Sequence, residues 1–199
     1  MKNTDLSTYL QACDYIDFNE PNIVEKAKQI SQNRIGELEI AKACFKFVRD
    51  EIKHAWDYQE ETLDQPVSIK ASEVLSSGHG FCYGKSHLLA ALLRANNIPA
   101  ALCYQRLTIT DEPPFCLHGL NAVYLQDYGW YKVDARGNKP GVDAQFNPPQ
   151  QQLAFPIILD DEKDFSELFI EPMSQVLGKM QSSKDNLTLA NDLPDLSEA

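Results

Sequence analysis

Gly80-Phe81-Cys82-Tyr83-Gly84 and the run Leu88-Leu89-Ala90-Ala91-Leu92-Leu93-Arg94-Ala95-Asn96-Asn97-Ile98-Pro99-Ala100 decide the fold. Leucines at 88, 89, 92 and 93 predict a largely buried helix from near Cys82 to about Asn96, where Asn96-Asn97 and then Pro99 stop it. Past Pro99 the helical period is lost. Ala100–Ile109, Leu117–Gln126 and Gly129–Ala135 are short, rich in aromatic and β-branched residues, and separated by turn formers, so they read as strands. Asp127-Tyr128-Gly129 is the expected hairpin connection between the second and third.

Upstream of this stretch the pattern is helical. Pro21 opens a helix to Asn33 with Ile23, Ala27 and Ile30 on one face. A second, from Glu37 to Ala55, carries the stripe Leu38, Ala41, Phe45, Val48, Ile52 and Ala55. Residues 57–70 are polar and read as an exposed loop, and Ala71–Leu75 as a short helical turn. Downstream, Phe165–Ile170 reads as a further strand and Glu171–Met180 as a terminal helix. Helices first and an antiparallel meander after them predict an α+β fold, with N-terminal helices packed on the sheet.

A chain of 199 residues with 43% apolar and 24% charged residues suits one domain, placed at residues 1–180. Residues 181–199 are Ser/Asp/Asn-rich and expected to be a loosely held acidic tail. Ten acidic residues against three lysines from Asp160 onward carry −7 of the net −11. That balance argues against nucleic acid as a partner, which needs a basic patch. No apolar run approaches the ~20 residues of a membrane span, and Met1–Tyr9 lack an apolar signal core, so the expected location is cytoplasmic.

The five cysteines, at 13, 44, 82, 103 and 116, are odd in number and widely spaced, which does not suggest a disulfide framework. Cys82 differs from the others in standing at a helix start, where the helix dipole and free N–H groups stabilise a thiolate. Its own N–H can serve an oxyanion. His118 begins a strand 36 residues later, across a helix and a strand, and suits a base facing that helix. Asp134 ends the strand expected to pair with it, as an orienter of the imidazole would. Each has a plain alternative: a buried structural thiol, a satisfied core histidine, a strand-capping carboxylate. His79 and His87 read as exposed polar residues near the thiol. A zinc set built from His79-x-x-Cys82 and Cys116-x-His118 meets only half the usual spacing, so no metal is expected.

Several stretches resemble the transglutaminase-like core. They are Phe47-Val48-Arg49-Asp50-Glu51-Ile52, Ala71-Ser72-Glu73-Val74-Leu75, Gly80-Phe81-Cys82, Leu92 to Ala100, and the Trp-Tyr-x-x-Asp strand Trp130–Asp134. The similarity runs over about residues 38–143. It implies a papain-like fold with Cys82, His118 and Asp134 as a triad. It also implies an oxyanion-supporting side chain from the segment before the cysteine, where Trp56 and Gln59 stand. Tyr83 occupies a place that is often Trp, and His118-Gly119-Leu120 departs from the family's His-Ala-Trp. Arg136 is placed to bind a substrate carboxylate or to pair with a local acid.

The expected function is thiol-dependent acyl transfer or hydrolysis of an amide or peptide-type bond through an acyl-enzyme, on a peptide, protein or small amide substrate. At this length hydrolysis is favoured over transfer to an amine. The other class considered is a catalytically inactive binding module of the same fold. No Asp-x-Asp-x-Asp-Gly loop is present, so neither calcium nor another cofactor is expected.

Overall fold

The computed structural model describes residues 5–196. After a short 3-10 turn at Leu6–Leu10 come helices α1 (Pro21–Ser31) and α2 (Glu37–Glu51), a two-residue strand β1 (Lys53–His54) and a short helix α3 (Gln59–Thr62). Helix α4 (Ala71–Ser77), strand β2 (His79–Gly80) and helix α5 (Cys82–Ala95) lead into strands β3 (Ala100–Thr108), β4 (Phe115–Leu125) and β5 (Gly129–Val133). Strands β6 (Gln145–Asn147), β7 (Gln150–Gln152) and β8 (Lys163–Asp164) and helices α6 (Ser174–Ser182) and α7 (Asn186–Asn191) complete the chain. The main sheet is antiparallel in the order β5-β4-β3-β8. The architecture is α+β, as the change of period after Pro99 predicts.

Helix α5 is the axis of the molecule: every residue from Cys82 to Arg94 is buried. It packs between α1, α2 and α4 on one side and β3–β4 on the other. Its leucines fill the larger hydrophobic core, together with Phe45, Val48, Val74, Tyr104 and Val123. Gly84 permits this packing, because a Cβ there would lie 2.9 Å from both the Ser68 carbonyl oxygen and a Val74 methyl.

A helix buried all round must satisfy its own polar residues. Lys85 Nζ donates to the Ile52 carbonyl, closing the C-terminal end of α2, and burial pulls its pKa down to about 7. Arg94 donates to the carbonyls of Gln11, Ala100 and Ile170, tying both ends of the chain to the core. His87 bonds through Nδ1 to the Ile69 carbonyl at 2.7 Å. His87 and His79 are therefore buried rather than exposed, at 1% and 8% accessibility. The carbonyl that His87 meets comes from residue 69, outside its own helix.

Three further expectations need correction. Residues 57–70 include α3, and the buried Thr62 hydroxyl there donates to the Ala55 and Tyr58 carbonyls. The strand expected at 165–170 is reduced to a bridge between Phe169 and Leu102, and the short strand on the outer edge of β3, β8, lies just before it at Lys163–Asp164. The acidic tail is packed, not loose, as far as residue 196. Asn186 and Leu189 are fully buried, and Leu193 and Leu196 lie against the main core. The Asn186 amide donates to the Thr62 carbonyl at 2.9 Å, and Pro194 accepts from Leu117 N–H at 2.7 Å. Residues 197–199 of the expected tail lie outside the described residues.

Candidate active site

The start of α5 is fixed by what precedes it. Helix α4 ends at Gly78, in left-handed conformation, and β2 pairs in parallel with β1, His79 opposite Lys53 and Gly80 opposite His54. Cys82 is the first residue of α5, so its N–H and those next to it have no acceptor within the helix. The thiol is almost wholly buried and lies at the bottom of a cavity of about 250 Å³.

Strand β4 brings His118 to it, by a route that strand parity alone does not predict. His118 stands in register with Gln105 and shares its face with Leu120 and Ala122, which belong to the smaller cluster on the side away from α5. The histidine therefore does not look across the sheet at the helix. Instead, β5 pairs with β4 only from Asn121 onward, leaving the earlier part of that edge without a strand. The thiol sits at this free edge, where Gly119 N–H donates to Cys82 Sγ at 3.4 Å. Ring and sulfur line the same cavity at this edge.

Nε2 of His118 bonds to Asp134 Oδ2 at 2.7 Å, so the carboxylate does not engage Nδ1. Asp134 is fully buried, and its carboxylate also accepts from the N–H groups of Arg136 (3.1 Å) and Ala154 (3.2 Å). Burial opposes its charge, but His118 and these donors hold it below the ordinary 3.8. Burial likewise opposes a charged His118. The charges of Asp134 and Cys82 and their hydrogen bonds to the ring outweigh it and push His118 up to about 10. Phe155 packs edge-on against the ring at 5.1 Å. By contrast, burial pushes the thiols of Cys44, Cys103 and Cys116 up to about 12, so they stay protonated near neutral pH. Cys82, His118 and Asp134 are thus brought together.

The secondary candidates divide. Trp56 and Tyr83 line the cavity. Gln59 does not: it is exposed at the start of α3. Arg136 is taken up by an acid, pairing with both carboxylate oxygens of Asp57, which also holds Lys139 at 2.7 Å. Tyr83 donates its hydroxyl to the Leu117 carbonyl at 2.5 Å. Its ring and backbone crowd Gly119, where a Cβ would meet Tyr83 atoms at 3.1–3.3 Å. The two departures from the family pattern, Tyr83 and Gly119, are thus in contact with each other. Among the described residues, no three His, Cys, Asp or Glu side chains converge as a metal set.

His54 is a titratable residue of the cavity that the sequence does not single out. His54 is buried against Phe81 and lines the cavity, with Nδ1 lacking a hydrogen-bond partner. Burial, with Arg136 and Lys85 nearby, holds its pKa well below 6.5, so it is neutral near neutral pH. The available signal was its alternation with Trp56 on an extended stretch after α2.

The sequence matches the profile of the transglutaminase-like superfamily over residues 24–135. No curated protein sequence matches it. Among solved structures it is similar to a candidate cysteine protease from Cytophaga hutchinsonii, at 18% identity and a TM-score of 0.53 over 67% of this chain and 43% of that one. It is also similar to the periplasmic domain of TgpA from Pseudomonas aeruginosa, at 18% identity and a TM-score of 0.47 over 67% and 48%. The chain thus spans less than half the length of these structures.

Proposed function

The chain belongs to the transglutaminase-like superfamily, and on that footing we propose that it is a thiol-dependent enzyme acting on amide or peptide-type bonds through Cys82. The observation that carries this reading is the 2.7 Å bond from His118 to the buried Asp134, at the floor of the cavity that holds the thiol. The Cys82 thiolate attacks the substrate carbonyl, forming the C–S bond as the carbonyl electron pair moves to oxygen. The oxyanion is received by the helix-start N–H of Cys82 and by the cavity side that His54 and Trp56 line. The C–N bond then breaks while His118, protonated at Nδ1, delivers its proton to the leaving amine. Asp134 keeps the Nε2 proton in place and stabilises the imidazolium. Water, deprotonated by the now neutral His118, releases the acyl group as an acid. An amine in its place would give a new amide.

Acylation with p-nitrophenyl acetate followed by acid quench and mass spectrometry tests the reading. One acetyl group is expected on Cys82, absent in Cys82→Ala and forming about 10²-fold more slowly in His118→Ala. An added primary amine separates the two fates, since transfer yields its acetamide and hydrolysis does not. Acylation elsewhere, or indifferent to His118, sinks the proposal.

A further inference from the structure

The free edge of β4 presents two outward N–H groups beside the nucleophile, and they have different acceptors. Along an antiparallel strand, alternate residues direct N–H to the same edge. Gly119 donates to Cys82 Sγ at 3.4 Å, and Leu117, the preceding outward residue, donates to the Pro194 carbonyl at 2.7 Å. A backbone carbonyl of the chain's own late segment therefore sits one ladder step, roughly 7 Å, from the step that holds the sulfur.

The side chains flanking Pro194 are held as well. Leu193, with Ala190, lines the same cavity as Cys82 and His118. Asp195 accepts two hydrogen bonds from Arg106, from Nε and from Nη2, each 2.8 Å. Arg106 stands opposite Leu117 in the β3–β4 register, and its guanidinium lies 4.1 Å from the Phe115 ring centroid. The β4 edge thus supplies a backbone donor, the cavity an apolar recess and the neighbouring strand β3 a forked cation, and the resident segment engages all three. An extended peptide needs these three things to be gripped by β-addition.

We propose that this edge is a peptide-binding subsite of the cleft, occupied in the structure by Leu193-Pro194-Asp195. Its ligand in trans is an extended peptide carrying an apolar residue with an acid two positions later. The proposal rests on the reading of the cleft as one that acts on peptide bonds, and it names the substrate class. The resident segment competes with such peptides at the effective concentration of a tethered ligand, on the order of mM.

The test uses a fluorescein-labelled peptide with the sequence of residues 192–197, read by anisotropy against the full chain in a Cys82→Ala background. Leu193→Asp combined with Asp195→Lys releases the resident segment. The released protein is expected to bind the peptide about tenfold or more tighter than the unreleased one, as removal of a tethered competitor requires. Adding Arg106→Gln is expected to reverse that gain, because the fork to the peptide's acid is lost. Asp195→Asn alone, which changes no volume, gives a smaller gain in the same direction and serves if the double variant does not fold. Equal peptide binding before and after release overturns the proposal, as does binding indifferent to Arg106→Gln. Because binding is read without the thiol, His118-dependent acylation of Cys82 can survive this failure, and the two readings fail separately.

Discussion

One wall of the cavity comes from the stretch between residues 81 and 136, which carries α5, β3 and β4 and is backed by Asp134; a second wall comes from residues 155–162 and from Ala190 and Leu193, beside Asp195. The first wall is locked. Asp134 has no exposed surface, and its three donors are backbone N–H groups and a buried ring. The second wall is held by groups nearer solvent, with Arg106 and Asp195 side chains 21% and 29% accessible. Breaking the first should abolish chemistry and unsettle the fold. Loosening the second should alter what reaches the thiol and leave the fold nearly unchanged.

Asp134→Asn is the largest expected break. Acylation of Cys82 should fall by about 10²–10⁴-fold, the range for losing a positioned base. Removing one partner of a buried charged pair should cost about 3–5 kcal/mol in denaturant unfolding. The pH dependence carries a sign. His118 is raised from 6.5 to about 10, so its stabilising contribution is complete below 6.5 and lost as pH rises through about 10. Asp134 is lowered, so its contribution is present above 3.8 and lost as pH falls further. Thermal midpoints of the native chain should therefore fall as pH rises from about 6.5 to about 10, and Asp134→Asn should flatten that alkaline limb. An unchanged limb would show that the pair does not bear on stability.

Gly84→Ala should come next. The added Cβ meets backbone at 2.9 Å on the face that seats α5, and overpacking of this kind costs about 1–3 kcal/mol. Gly80→Ala is the control, since its Cβ would find only ordinary contact at 3.5 Å. Equal destabilisation of the two would break the claim that α5 is seated through Gly84. The smallest effect belongs to the second wall. Asp195→Asn should change stability by no more than about 1 kcal/mol, as for other partly exposed ion pairs. A loss as large as that of Asp134→Asn would erase the distinction between the walls.

The first wall was legible in the sequence because its signals are local. Four leucines at helical spacing, the Asn96-Asn97-Ile98-Pro99 stop and the hairpin at Asp127–Gly129 fix α5, β4 and β5, and these elements carry Cys82, His118 and Asp134. The manner of their meeting was not legible. It depends on β5 ending opposite Asn121, a long-range length match that no periodicity encodes. The burial of His54, His79 and His87 was hidden for a similar reason. The Ile69 carbonyl that bonds Nδ1 of His87, for example, lies 18 residues away in sequence.

The second wall was misread because composition outweighed pattern. Acidic and Ser/Asn residues suggested a loose tail, yet Leu189, Leu193 and Leu196 recur at packing distance there. Asp185 caps α7 by accepting from Thr188 N–H at 2.8 Å. A polar segment with spaced leucines and a capping residue has enough apolar surface to dock on an existing core, though not to fold alone.

The central claim is that His118, held by Asp134, activates Cys82 and no other thiol. Site-resolved iodoacetamide labelling near neutral pH, in the native chain and in His118→Ala, tests it most directly. The account predicts that Cys82 is modified well ahead of Cys13, Cys44, Cys103 and Cys116, and that His118→Ala slows it by about 10²-fold. Labelling spread evenly over the half-buried Cys13 and Cys116, or a Cys82 rate unchanged in His118→Ala, would contradict it.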